Sequence, residues 1–191
     1  HWIPSAARVA AAQLTGFHAF ARERGAPGGD YSSLWQWSVD EPAAFWSAVF
    51  DFAGVIADRG PGSVLRDGER MPGATWFEGT RLNFAENLLR YRDERPALVS
   101  LLENGTRRQF SYAQLCVQVA ALASSLRTEG VVAGDRVVGF LPNVAEAVIA
   151  MLATASIGAV WSSCSPDFGV DGVVDRFGQI APKVLFAADG Y

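Results

Sequence analysis

The chain has 191 residues, half of them apolar and 12% aromatic, which is enough to bury a core and excludes a disordered segment. Sixteen basic residues scattered among twenty acidic ones leave a net charge of −4, with no basic footprint for nucleic acid. The two cysteines, Cys116 and Cys164, make neither a disulfide framework nor a metal site, and they fit a reducing cytoplasm.

Pro4-Ser5 offers a helix start, and Val9, Gln13, Phe17 and Phe20 recur at helical spacing until Arg24-Gly25 ends the run. The glycine-rich loop 26–29 lacks the Lys-Ser/Thr that would reach phosphate and metal, so it is not a phosphate-binding loop. Asp30 and Asp40 are expected to cap two short helices, the second with Pro42 in its first turn and Phe45, Trp46, Val49 and Phe50 along one side. Residues 54–81 show no period and many glycines and prolines, which predicts irregular chain pinned by Trp76 and Phe77. Four of the six tryptophans fall between 35 and 76; with Phe45, Phe50, Phe52 and Phe77 they read as the packing of a small core rather than a binding surface.

Asn83 with Glu86 forms a capping box for a helix through Leu88, Leu89 and Tyr91, and Arg95-Pro96 marks a boundary. Beyond it, 97–102 and 107–110 read as a hairpin about Asn104-Gly105, a pair that supplies positive φ angles. Ser111 and Gln114 make a second box, for a helix whose core side is Leu115, Val119, Leu122 and Leu126 and which Gly130 ends. Strands at 136–140, 159–163 and 183–187 then alternate with helices at 144–157, opened by Asn143 and Glu146, and at 171–180.

That alternation is the signature of βαβ units and a parallel sheet. The fold class expected is α/β: a helical and irregular N-terminal extension over 1–94, then the first part of a parallel βαβαβ subdomain over 95–191. Both faces of a parallel sheet need helices, and here the covering is expected to run out at the third strand, with Gly190-Tyr191 as a turn. With His1 an unusual start, the chain reads as the front part of a larger enzyme. The apolar stretch 147–161 is shorter than the ~20 residues that span a bilayer and is broken by Gly158. With no signal peptide at its start, the chain is expected to be cytoplasmic, with neither membrane nor nucleic acid as partner.

Candidate chemistry is sparse. His1 and His18 are the only histidines, and neither Gly-x-Ser-x-Gly nor Gly-x-Gly-x-x-Gly after a strand is present, which argues against hydrolases and dinucleotide enzymes. The segment 162–169 leaves the carboxyl end of a parallel strand, where ligands of open α/β sheets bind. Its hydroxyl residues, Pro166 and Gly169 would let backbone N–H groups approach a polar ligand. It reads equally well as a plain strand-to-helix connection capped by Asp167 or Asp171. Cys164, without a base or cation beside it, reads as buried and structural.

The runs Phe140-Leu141-Pro142-Asn143-Val144-Ala145-Glu146 and Ala155 to Gly169 resemble the adenylate-forming acyl-CoA synthetases, most nearly the branch that activates acetoacetate. The run Met71 to Arg90 is similar to the segment preceding the synthetase fold in that branch, and Asp30 to Ser38 with Phe45-Trp46 fits the same extension. The resemblance implies a reaction in which ATP and a carboxylate give an acyl-adenylate and pyrophosphate with Mg²⁺, after which the CoA thiol displaces AMP. It implies ATP, Mg²⁺ and CoA for the full enzyme and none bound by this chain alone. It places no catalytic residue here, because the family's phosphate loop, nucleotide contacts, acidic metal contact and catalytic lysine fall beyond Tyr191. Aligned on Ile157-Gly158-Ala159-Val160, the loop Ser165, Pro166, Asp167 and Phe168 takes the position of a Phe-Gly-Gly sequence near the CoA pantetheine. Phe168 matches that pattern, whereas the glycine pair is absent. Alternatives are a ligase for acetate or propionate, or a non-catalytic α/β binding module. The chain alone is expected to self-associate through surfaces left bare.

Overall fold

The computed structural model describes residues 2–189, so the turn read at Gly190-Tyr191 lies outside the described residues. The chain forms two compact units, His1–Leu82 and Asn83–Tyr191.

The first unit is helical and then irregular. Ser5 caps α1 (Ala6–Ala10) by accepting the Arg8 N–H at 3.3 Å, and α2 (Gln13–Arg22) follows separately. The single helix expected here is thus broken at Ala11-Ala12, where Ala12 is extended and the Thr15 hydroxyl donates to the Val9 carbonyl at 2.7 Å. Asp30 caps α3 (Tyr31–Asp40) as expected, accepting the Ser33 N–H at 3.1 Å. Asp40 does not cap α4 (Pro42–Phe52): it ends α3 and accepts from the Gln36 side chain at 2.8 Å, while Glu41 takes the cap position without a side-chain bond. Pro42 does open α4, where its missing N–H costs nothing.

These helices bury Phe17, Ala21, Leu34, Trp37 and Ala48, with Phe45 edge-on to both Phe17 and Trp37. The tryptophans do not all pack into the core expected of them. Trp37 is core, whereas Trp35, Trp46 and Trp76 are each about half exposed, Trp46 and Trp76 meeting edge-on. Within the irregular stretch, β1 (Leu65–Arg66) pairs antiparallel with β2 (Thr75–Trp76).

The second unit begins with α5 (Phe84–Leu88), shorter than expected. Asn83 accepts the Glu86 N–H at 3.1 Å, and its amide also donates to the Ala155 carbonyl at 3.0 Å. Strands β3 (Pro96–Leu101) and β4 (Arg107–Ser111) form the hairpin. Its loop is longer than a two-residue turn: only Gly105 takes a positive φ (81°), while Asn104 uses its side chain to accept the Thr106 N–H. Both bonds of the Ser111–Gln114 capping box form, opening α6 (Tyr112–Thr128).

Then come β5 (Arg136–Phe140), α7 (Ala145–Ser156), β6 (Val160–Cys164), α8 (Val170–Gly178) and β7 (Val184–Ala187). The three strands are parallel in the order β6-β5-β7. Asn143 is not the cap of α7. The Val144 N–H turns back onto the Pro142 carbonyl, Val144 becomes the cap residue without a side-chain bond, and Glu146 points elsewhere.

Adjacent residues of β5 face opposite ways, as strand geometry requires. Val137 packs with α6 and α7, including Leu126, Ile149 and Leu152; Val138 packs with Cys164 and Phe177 of α8. Both are fully buried. The covering therefore does not fail at the middle strand. It thins at the two outer ones, where Val160 and Leu185 are about half exposed.

Gly139 is required by a close approach. A methyl group built on it would lie 2.6 Å from Cη2 and 2.7 Å from Cζ2 of the Trp161 indole. Gly139→Ala is expected to destabilise the chain by about 1–3 kcal/mol, read as a lower urea midpoint; an unchanged midpoint would refute the packing.

The amino-terminal end of the sheet is fastened by cations. Lys183 donates to the Gly130 carbonyl at 2.6 Å and to Asp135 at 3.0 Å, and Arg136 reaches the carbonyls of Ile180 and Ala181. The Val132 N–H, and next the Lys183 ammonium, hold the Asp135 carboxyl below its usual value. A folded-state value that is depressed gives stability present above the unfolded pKa and lost as pH falls through the folded one. Asp135→Asn should therefore flatten the fall of Tm with pH over roughly pH 5 to 3; parallel acid limbs would contradict this.

Candidate functional site

Because β5, β6 and β7 are parallel, the loops leaving them share one edge of the sheet. The chain passes from β5 outward to β6, then returns past β5 to reach β7 on its other side. Right-handed crossovers put α7 and α8 on opposite faces, in agreement with the packing of Val137 and Val138. The switch point between β5 and β7 is where open α/β sheets bind ligands.

A cleft of about 730 Å³ lies there. Leu141 and Pro142 enter it from the end of β5, Phe186 to Ala188 from β7, and Phe110, Leu122 and Ile149 from β4, α6 and α7. The cleft is mostly apolar. Its charged groups are Arg108 and Glu146, paired at 2.6 Å, with the Arg108 guanidinium 5.2 Å from the centre of the Phe110 ring. Both partners are well exposed, so the pair contributes at most about 1 kcal/mol.

No motif or spacing announces this cleft. Arg108 and Glu146 are 38 residues apart, and only the strand order brings Phe186 beside them. The weak clue was Glu146 itself, a carboxylate at the start of an apolar helix.

The loop singled out from the sequence is a separate feature, at the end of β6 on the far side of β5 from β7. It closes on itself. The Ser165 hydroxyl donates to Asp167 at 2.7 Å, the Asp167 N–H to the Ser165 hydroxyl at 3.3 Å, and the Phe168 N–H to the Ser165 carbonyl at 3.1 Å. Pro166 is half-buried, while Ser165, Asp167 and Phe168 are exposed. Neither Asp167 nor Asp171 caps α8: Gly169 holds the cap position without a side-chain bond. Phe168 lies under the guanidinium of Arg176, 4.2 Å from the ring centre. The geometry brings Ser165 and Asp167 together, ties Phe168 to α8, and places none of the four in the cleft.

Cys164 is buried against Val138 and Phe177, as a structural residue should be. His18 is half-buried in α2, in the first unit. Among the described residues no three of His, Cys, Asp and Glu are gathered to hold a metal ion, and no helix is long and apolar enough to cross a membrane.

Comparison with known proteins adds the chemistry that the geometry lacks. The family described as AMP-binding enzyme matches residues 84–190, and the acetyl-coenzyme A synthetase N-terminus matches 31–88. The acetoacetyl-coenzyme A synthetase of Rhizobium meliloti (strain 1021) is 45% identical over all 191 residues, which span 29% of that protein. A malonamoyl-CoA synthetase of Penicillium aethiopicum is 40% identical over 82% of this chain and 22% of its own length. Among solved structures, the acetoacetyl-CoA synthetase of Streptomyces lividans superposes with a TM-score of 0.91 at 49% identity, covering all of this chain and 30% of that one.

Proposed function

This chain belongs to the AMP-binding enzymes, and on that premise we propose that it serves a ligase joining acetoacetate to CoA at the expense of ATP. The observation that supports this best is the likeness along the whole chain, in sequence and in backbone alike, to acetoacetyl-CoA synthetases. A carboxylate is a poor electrophile. Transfer of AMP to one of its oxygens releases pyrophosphate and makes that oxygen part of a leaving group. The CoA thiolate then attacks the acyl carbon, a C–S bond forms, and AMP departs. Offsetting the negative charge crowded in the first step calls for cations and directed donors. Among the described residues no three of His, Cys, Asp and Glu are gathered, and no step is assigned to metal in this part of the protein.

What this chain contributes is the βαβαβ start of the nucleotide-binding fold and, at the end of β6, the loop of Ser165, Pro166, Asp167 and Phe168, which we assign to the CoA pantetheine arm. The turn's backbone is tied by its own hydrogen bonds, so it presents its backbone groups at a reduced ordering cost. Residues 1–191 alone carry out neither half-reaction and associate through the surfaces that the remaining fold would cover.

In the full-length ligase, Asp167→Ala and Phe168→Ala should each raise the KM for CoA several-fold, with acetoacetate-dependent pyrophosphate exchange close to wild type. An unchanged KM in both variants would remove the loop from the CoA site. A second reading, a ligase for another short acid, draws on the malonamoyl-CoA synthetase likeness. Malonamate, like acetoacetate, carries a carbonyl β to its carboxylate. Comparing kcat/KM for acetoacetate, malonamate, acetate and propionate separates the readings.

A further inference from the structure

We propose that Arg176 is a positioning residue for the CoA step, acting through the ring of Phe168; this rests on the assignment of the loop 165–168 to CoA.

Phe168, Gly172 and Arg176 follow one another at intervals of four, so they form one stripe along the start of α8. Gly172 in the middle has no side chain, and the ring and the guanidinium meet across it. The guanidinium carbon stands 4.2 Å from the ring centre, and Nη1 donates to the Gly172 carbonyl at 3.2 Å. A methyl at Gly172 would come to 3.5 Å from Arg176 Nη1 and 3.7 Å from Phe168 Cδ1, ordinary van der Waals contact with both neighbours.

The hydrogen bonds of the turn fix its backbone but leave the Phe168 side chain free to rotate. Phe168 is 39% exposed, and an exposed ring beside a ligand edge samples several rotamers unless something holds it. The guanidinium holds one face of the ring, leaving the other for an uncharged amide-rich chain of the kind that links the CoA nucleotide to its thiol. An exposed guanidinium–ring contact shifts an equilibrium by about two- to fivefold. That is small for the stability of the whole protein and enough to be read in the binding of one substrate.

The test is a double-mutant cycle in the full-length ligase. Arg176→Ala, Phe168→Ala and the double variant are compared in the KM for CoA and in acetoacetate-dependent pyrophosphate exchange, which needs no CoA and reports that the fold is intact. Arg176→Ala is expected to raise the CoA KM about two- to fivefold with exchange unchanged, and Arg176→Lys to restore part of the loss. The double variant should be no worse than Phe168→Ala alone, because Arg176 acts through that ring. Independent, multiplying effects would overturn the proposal. So would a lowered exchange rate in Arg176→Ala, which would mark a general structural defect. If Phe168→Ala raises the CoA KM and Arg176→Ala does not, this inference fails while the loop assignment stands. If neither variant changes it, both fail.

Discussion

Purified residues 1–191, mixed with ATP, Mg²⁺ and acetoacetate, are expected to release no pyrophosphate above a control without acetoacetate, and to form no thioester when CoA is added. The expectation rests on charge. A triphosphate carries several negative charges that must be met by preorganised donors and cations where the α-phosphorus is attacked. Here the glycine-rich loop 26–29 has no Lys-Ser/Thr after it. The chain's single lysine, Lys183, is committed at the amino-terminal end of the sheet, to Gly130 and Asp135. Arg108, at the carboxyl edge, is paired with Glu146. Acetoacetate-dependent pyrophosphate release by the purified chain, at a rate proportional to its concentration, would prove this wrong.

At micromolar concentration the same chain should run as dimers or larger species in light scattering. Strand β7 has one hydrogen-bonded neighbour, β5, among the described residues, and Leu185 on it is half exposed. The apolar cleft beside it, with Phe110, Leu122 and Phe186, adds uncovered surface. Unpaired strand edges template pairing with other chains, and large apolar patches seek cover. Covering ~800 Å² of apolar surface is worth on the order of 20 kcal/mol gross at ~25 cal/mol per Å². Lost translational and rotational freedom takes back about 4–15 kcal/mol, and the remainder favours contact. A net charge of −4 opposes it weakly. Leu185→Glu should shift the distribution toward monomer. A sharp monomer peak for the unmodified chain, with no binding of a dye for exposed apolar surface, would refute the expectation.

The parts of the fold legible in the sequence were those decided locally. β5 begins and ends where the pattern placed it, at Arg136 and Phe140, because a short β-branched run between a helix-ending glycine and a proline admits few alternatives. The Ser111–Gln114 box formed in full, since both partners lie within one turn. Where neighbouring residues offer two local solutions, the sequence does not decide between them. Asn143 was one position early as a cap because the backbone turns first at Pro142. The break at Ala11-Ala12 runs against propensity, since alanine is the best helix former; residues 2–16 are all exposed, so packing does not impose it, and the local bond from the Thr15 hydroxyl to the Val9 carbonyl is what the structure shows there.

The strand order was not legible, and with it went the cleft. Nothing in the β7 segment says that it will pair with β5 instead of β6. The position of the loop 165–168 at the carboxyl end of a strand is legible because the alternation of elements reveals it. The contact of Phe168 with Arg176 is not legible, because a stripe at four-residue spacing through a glycine looks like an ordinary helix surface.

The central place of β5 has a consequence for how the chain is made. Val137 meets Trp161, 24 residues later, and Val184, 47 residues later. As the polypeptide emerges from its amino end, one edge of β5 can be zipped as soon as β6 appears. The other must stay open through the synthesis of β6 and all of α8, because its partner β7 is the last of the three strands to be made. During that interval the exposed edge of β5 and the half-built layer of α6 and α7 are the chain's point of greatest vulnerability to wrong pairing. Pairing of Val184–Ala187 along Val137–Phe140 closes that edge.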